Sequence, residues 1–243
     1  MSLFRPGGSI ARNTTFEVSF PYSESGWKRQ FVKQLESRRI YTVFDVGANS
    51  GQYAADLRKA AYKGRIVSFE PLSGPFSLLE CNASRDPAWD CRQCALGDSD
   101  GTISINVAGN AGASSSILPM LKRHQDAFPP ANYVDVEEVS IRRLDSVALE
   151  FLGPDESIFL KIDVQGFERQ VLAGATTLVS ERVAGIQLEL SFVPLYDGGM
   201  LIREALDLTH SLGFTLTELQ PGFRDPRDGR LLQADGIFFR EDE

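Results

Sequence analysis

The chain has 243 residues, with 25 Lys and Arg against 33 Asp and Glu, a formal charge of -8. At 42% hydrophobic it is too apolar for a disordered chain, and its length suits one large domain. The acidic balance argues against a nucleic-acid backbone as main partner. No apolar run approaches the ~18 to 20 residues of a membrane span, and the N-terminus has no apolar signal core, so a cytoplasmic location is expected.

Residues 1–22, rich in Gly, Pro and polar side chains, read as an arm. Residues 24–38 place Trp27, Phe31 and Leu35 at intervals of four, an amphipathic helix laid on the domain. Arm and helix together make a leader of 1–39 before a domain of 40–243. The run 41–47 is a strand covered on both faces, followed by a helix from Gly51 to about Tyr62. A second strand over 65–71 stops at Pro71, and a helix over 73–84 has Pro75 in its first turn. Strands follow at 90–98, 101–109 and 134–144, around an irregular insert at 110–132. A loop this long inside a domain is commonly functional. Asp145 is expected to cap a short helix to Phe151. Strands at 156–164 and 182–191 alternate with helices beginning near Gly166 and Met200, the latter closed by Gly213. The last two strands, 214–222 and 231–241, are close enough in sequence to pair antiparallel. The alternation indicates an α/β sheet with helices on both faces.

Cys81, Cys91 and Cys94 are an odd set without zinc-ligand spacing, so ordinary reduced thiols are expected. Chemistry concentrates at strand ends. The first strand runs into Asp45-Val46-Gly47-Ala48-Asn49-Ser50-Gly51, an acid and then glycines over a tight turn. A dinucleotide fingerprint would need Gly where Asn49 and Gln52 stand, which counts against a nicotinamide enzyme. Asp45 would repel phosphates and suit a cationic ligand. Glu70, 25 residues after Asp45 at the next strand end, sits where an acid accepts hydrogen bonds from a ribose.

Phe44–Tyr53 (FDVGANSGQY), Ser68–Pro71 (SFEP), Ala95–Asp98 (ALGD), Lys161–Glu168 (KIDVQGFE) and Ala234–Phe238 (ADGIF) together resemble the FkbM family of S-adenosylmethionine-dependent methyltransferases. The resemblance covers about residues 40–240. It implies a Rossmann-like class I methyltransferase with a seven-stranded, mostly parallel sheet, order 3-2-1-4-5-7-6, strand 7 antiparallel. It implies O-methylation of a hydroxyl, often on a sugar of a glycolipid or other natural product.

By the same resemblance Asp45, Gly47, Asn49 and Gly51, with Tyr53 after them, would hold the methionine end of the cofactor. Glu70 would take the ribose, Pro71 and Leu72 would flank the adenine, and Ala95, Leu96 and Asp98 would lie at its edge. Ser115, within the Ser114–Ile117 segment, would close over the cofactor. Asp163 would face the cofactor amino group and the acceptor. A sugar hydroxyl is a poor acid, so a base would help. The candidates are Asp163, Glu189, Asp235 and His124, with Glu168 as a further acid at a helix start. Asp163 and Asp235 offer hard oxygens for magnesium, without a metal motif around them. Pro194–Asp197 could line the acceptor pocket. Left open are a nitrogen or carboxylate acceptor, a nucleoside-binding partner protein without catalysis, and a homodimer through the arm.

Overall fold

The computed structural model describes residues 24–241, and the expected arm at 1–22 falls outside them. In chain order the elements are α1 (Glu24–Ser37), β1 (Thr42–Val46), α2 (Gln52–Lys59), β2 (Arg65–Phe69), α3 (Ser73–Ala83), β3 (Trp89–Arg92), β4 (Ala95–Leu96), β5 (Gly101–Ala108), α4 (Lys122–Ala127) and β6 (Tyr133–Arg142). They continue with α5 (Leu144–Val147), β7 (Ile158–Ile162), α6 (Glu168–Ala173), α7 (Thr176–Glu181), β8 (Val183–Ser191), α8 (Ile202–Ser211), β9 (Phe214–Pro221) and β10 (Gln233–Arg240).

Seven strands form one sheet in the order β3-β2-β1-β7-β8-β10-β9, with β10 antiparallel to both neighbours. Numbered within that sheet alone, this is the expected 3-2-1-4-5-7-6. The remaining strands form a small sheet, β4-β6-β5. The expected strand over 90–98 is therefore two strands in two sheets. Glu70 N donates to Arg92 O at 3.2 Å, and two residues later the chain leaves β2 so that Ala95 pairs with Ile141.

Side chains alternate across the main sheet. Phe44, Leu160 and Ile162 point into a core with α6, α7 and α8. Val43, Ile66 and Phe159 point into another with α1, α2 and α3. Helix α1 is part of that second core. Phe31 and Leu35 are buried, and the Phe31 ring meets Phe159 edge-on at 4.9 Å. Asp145 does not cap its own helix. Its carboxylate accepts from Thr177 N at 3.2 Å and Leu178 N at 2.9 Å, closing the N-terminus of α7.

Every residue of β1 and β7 is buried, including two charged ones. Asp45 stands opposite Lys161 in the parallel register, and their side chains form an ion pair at 2.9 Å. Trp89 Nε1 donates to Ser68 Oγ at 2.9 Å, and Ser68 Oγ donates to Asp45 Oδ2 at 3.3 Å. Lys161 Nζ also donates to Gly47 O at 3.0 Å. Burial pulls the lysine pKa down, and the charge of Asp45 more than restores it. Lys161→Met leaves a buried carboxylate without its cation and should cost about 3–5 kcal/mol in urea unfolding. Adding Asp45→Asn should recover part of that loss. A double variant no more stable than the single one would contradict a coupled pair.

Candidate active site

The turn after β1 is shaped by close approach. Gly47 has φ +75°, and a Cβ there would lie 1.9 Å from the Asp163 carbonyl oxygen, so only glycine lets the β1 and β7 ends come together. The turn presents Asn49 N to Glu70 Oε2 at 2.8 Å, while Leu72 N donates to Glu70 Oε1 at 2.9 Å. Glu70 is thus fixed at the mouth of β2 with an oxygen lone pair left on each side. Burial raises its pKa to about 7, against these two backbone donors.

A cleft opens beside it. Leu72, Leu96, Ile117 and Phe167 provide apolar walls, and Gly47, Asn49, Glu70 and Asp163 line its polar end. Pro71, Ala95 and Ser115 also line it. A flat apolar slot ending at a buried acid and a backbone turn fits an adenosyl group with a charged tail. Of the residues expected around the cofactor, Gly47, Asn49, Glu70, Pro71, Leu72, Ala95, Leu96, Ser115 and Asp163 converge here.

The insert at 110–132 is less irregular than its sequence suggests, since it contains α4 and a 3-10 turn over Pro129–Ala131. Its first part lies over the slot. Asn49 Nδ2 donates to Ala111 O at 3.1 Å, Ser116 Oγ to Gln165 O at 2.7 Å, and Tyr196 OH to Ser114 O at 3.2 Å. Ser115 Oγ accepts from Ala108 N at 2.9 Å.

Four expected cofactor residues lie elsewhere. Asp45 is wholly buried and spent on Lys161, so it does not line the slot. Gly51 faces the core: a Cβ there would meet the Trp89 ring at 2.6 Å. Tyr53 points to the opposite sheet face, where its hydroxyl donates to Gln187 Oε1 at 3.1 Å. Asp98 is exposed beyond the slot, which ends at Leu96.

The acids come together. Gln165 has φ 56°, a left-handed backbone that aims its amide between two carboxylates. Gln165 Nε2 donates to Asp163 Oδ1 at 2.8 Å and to Glu189 Oε2 at 3.0 Å, while its Oε1 accepts from Tyr196 OH at 2.7 Å. Gln233 Nε2 also donates to Glu189 Oε2, at 2.6 Å. Asp235 is the register partner of Glu189 on β10. Burial and the neighbouring Asp163 charge push Glu189 well above the carboxylate range and Asp235 to about 6.

Glu168 serves the backbone. It accepts from Gly166 N at 3.0 Å and Val164 N at 3.3 Å, and burial lifts it to about 7. His124 is a core residue, buried between the Tyr196 and Phe223 rings at 5.2 Å each and lining neither the slot nor the acid cluster. Burial lowers its pKa to about 4, so it stays neutral. Leu195 and Tyr196 are buried in the same cluster, where they support the insert. Among the described residues no three His, Cys, Asp or Glu side chains are arranged to hold a metal ion, and no helix is long and apolar enough to cross a membrane. The three cysteines are unpaired.

Two site residues stood inside the KIDVQGFE segment without a role. Lys161 had a readable signal, a lone cation in a buried strand, which demands a partner. Gln165 had none, because its function comes from backbone conformation.

The raised carboxylates set a pH dependence. Glu70 and Glu168 move from about 4.5 to about 7, and Asp235 from 3.8 to about 6. The native chain then binds protons that the unfolded chain has released, so this stability is full below about pH 4 and lost as pH rises through 6–7. His124 acts in the opposite sense, being destabilising below its ordinary value near 6.5, and is outnumbered. The ligand-free melting temperature should fall between pH 5 and 7.5. A rising melting temperature across that window would show that these carboxylates are not held in this way.

The Methyltransferase FkbM domain family matches residues 45–216. The 31-O-demethyl-FK506 methyltransferase FkbM of Streptomyces tacrolimicus is 28% identical over 235 residues, 88% of each chain. Methyltransferase sdnD of Sordaria araneosa is 27% identical over 171 residues, 60% of this chain and 65% of its own. A solved Methyltransferase FkbM from Methylobacillus flagellatus KT aligns with 82% of this chain and 43% of its own, at 16% identity and a TM-score of 0.48. With its family match spanning most of the chain and a slot suited to the cofactor, this protein belongs to the FkbM methyltransferase family and is an S-adenosylmethionine-dependent methyltransferase.

Proposed function

We propose that this enzyme methylates a hydroxyl oxygen, on a sugar of a glycolipid or on another natural product. The observation that carries this reading is the carboxylate group of Asp163, Glu189 and Asp235, gathered at adjoining strand ends beside the slot. A hydroxyl must lose its proton as its oxygen becomes methylated, and a carboxylate near the reacting oxygen receives it. The same acids would repel a carboxylate acceptor. The name of the Streptomyces tacrolimicus relative, which describes an O-demethyl substrate, supports an oxygen acceptor.

Gly47, Asn49, Glu70, Leu72, Leu96 and Asp163 would hold S-adenosylmethionine. When bound, it supplies a methyl group activated by its sulfonium, whose carbon–sulfur bonding electrons stay on sulfur. Glu70 accepts hydrogen bonds from the ribose hydroxyls. Leu72, Leu96 and Phe167 exclude water from the base. Asp163, held by Gln165 and reachable from the slot, receives the acceptor's proton. Glu189, buried and accepting from Gln165 and Gln233, keeps the Gln165 amide aligned.

Glu70 accepts both ribose hydrogen bonds best when ionised, because protonation turns one of its oxygens into a donor. Calorimetric affinity for S-adenosylhomocysteine should therefore rise with pH through about 7. Glu70→Gln should weaken binding about 10- to 100-fold and flatten that profile. Unchanged affinity would remove Glu70 from the site. Asp163→Asn should lower kcat by about 100-fold or more, with a smaller effect on cofactor affinity. Transfer at the wild-type rate in this variant would remove Asp163 as the base.

A further inference from the structure

The cofactor slot is shut as it stands. Its volume is about 70 Å3, against roughly 300–1,000 Å3 for a pocket that takes a small ligand. Leu72, Leu96 and Phe167 are buried and built into the core, so those walls do not part. Residues 109–118 are different. They belong to the loop between β5 and α4, and line the slot through Gly112, Ala113, Ser115 and Ile117. The loop is pinned at both ends. Gly109 N donates to Asn132 O at 3.0 Å, and Asp197 N donates to Pro119 O at 2.9 Å. Between the pins Ala111 and Gly112 have φ of 57° and 77°, two left-handed residues in succession. A second cleft, on the other sheet face between Trp27 and Asp235, shares no lining residue with the slot and offers no way in. The loop must therefore lift for an adenosyl group to enter.

Lifting separates the loop from Gln165. Ser116 Oγ donates to the Gln165 carbonyl at 2.7 Å, holding this left-handed residue by its backbone. Tyr196 holds the same residue by its side chain. Its hydroxyl donates to Gln165 Oε1 at 2.7 Å, the shorter of its two contacts, the other being Ser114 O at 3.2 Å. Burial and the charge of Glu189 push the Tyr196 pKa far above its usual value, so the hydroxyl stays a donor.

That donor decides which way round the amide stands. With Oε1 toward the hydroxyl, Nε2 reaches Asp163 and Glu189. Turned over, the amide oxygen would face two carboxylates and Nε2 would meet a donor. Asp163 depends on the outcome. Its Oδ2 lies 3.7 Å from Lys161 Nζ, beyond hydrogen-bond reach, so the bond from Gln165 to Oδ1 fixes the rotation of the carboxylate.

We propose that Tyr196 and Ser116 are positioning residues for methyl transfer. Tyr196 orients the Gln165 amide, Ser116 ties Gln165 to the covering loop, and Asp163 is aligned for the acceptor's proton only when that loop is shut over the cofactor. This rests on the reading of Asp163 as the base and adds what sets it. A loop that completes a catalytic group on closing keeps that group idle until the cofactor is in place.

Solvent exchange followed by NMR tests this without an acceptor. The Gln165 side-chain amide signals, assigned by their loss in Gln165→Leu, would be followed with and without S-adenosylhomocysteine. Saturation should slow exchange of this amide and of the backbone amides of 109–118 together, by about 10-fold or more. Tyr196→Phe should speed exchange of the Gln165 amide by about 10-fold, the weight of one hydrogen bond, while the amides of β1 and β7 keep their protection. In Ser116→Ala, S-adenosylhomocysteine should still slow the loop but no longer slow Gln165. Gln165 exchange unchanged by Tyr196→Phe overturns the role of Tyr196. A wild-type loop that slows on binding while Gln165 does not overturns the link through Ser116, and bound S-adenosylhomocysteine that leaves the loop amides unchanged overturns the cover. No binding by the wild-type chain would be a failure of the methyltransferase reading itself, and a wild-type transfer rate in Asp163→Asn a failure of the base, each distinct from these exchange results.

Discussion

Asp45 and Lys161 occupy facing positions on the two central strands, in a region from which water is excluded, and each needs the other to stay charged. Desolvating either one alone is far more costly than hiding both as a pair. The lysine is bound to more than its carboxylate. By donating to Gly47 O it fixes the turn after β1. That turn sends Asn49 N to Glu70 and brings Gly47 against the Asp163 carbonyl. The positions of Glu70 and Asp163 both follow from one buried ion pair, extended outward by Ser68 and Trp89.

The sheet divides the remaining work between its faces. On one side β4, β5 and the start of α6 build an apolar slot, and the segment after β5 covers it. On the other, α1 and α2 stand over a mixed aromatic and polar cleft. The carboxylates lie at the edge between them. The cluster around Tyr196 and His124 joins the covering insert to the chain after β8. Through Gln165, Tyr196 holds both the insert and the acid pair. This arrangement makes Gln165 the meeting point of cover, Asp163 and backbone turn, and accounts for its tolerated left-handed conformation.

Much of this was legible in the residues. Apolar runs interrupted by helical patterns gave the strands and helices. The glycine turn and the spacing from Asp45 pointed to Glu70 at a ligand cleft, while Asp163 came from the resemblance to the FkbM family, and both line one cleft. The misplacements have physical causes. Asp45 looked available because a single sequence does not reveal which strand lies beside it, and hence does not pair it with Lys161. Gly51 follows the glycine pattern of a ligand turn, but its missing Cβ makes room for Trp89. Tyr53 is next to the turn in sequence and faces the other side because α2 has already begun. His124 lies in an insert that resembled a surface loop, until α4 packed it under Tyr196. Trp27 reads as one of three core residues on α1. Its membership of a cleft depends on where α2 and β10 end.

The most direct measurement is a crystal structure of the enzyme with S-adenosylhomocysteine. The adenosyl group should lie between Leu72, Leu96 and Phe167, with both ribose hydroxyls on Glu70 and the sulfur directed toward Asp163, leaving the Trp27 cleft free. A nucleoside found between Trp27 and Asp235, with Glu70 bound only to its own backbone, would contradict the assignment of the two faces.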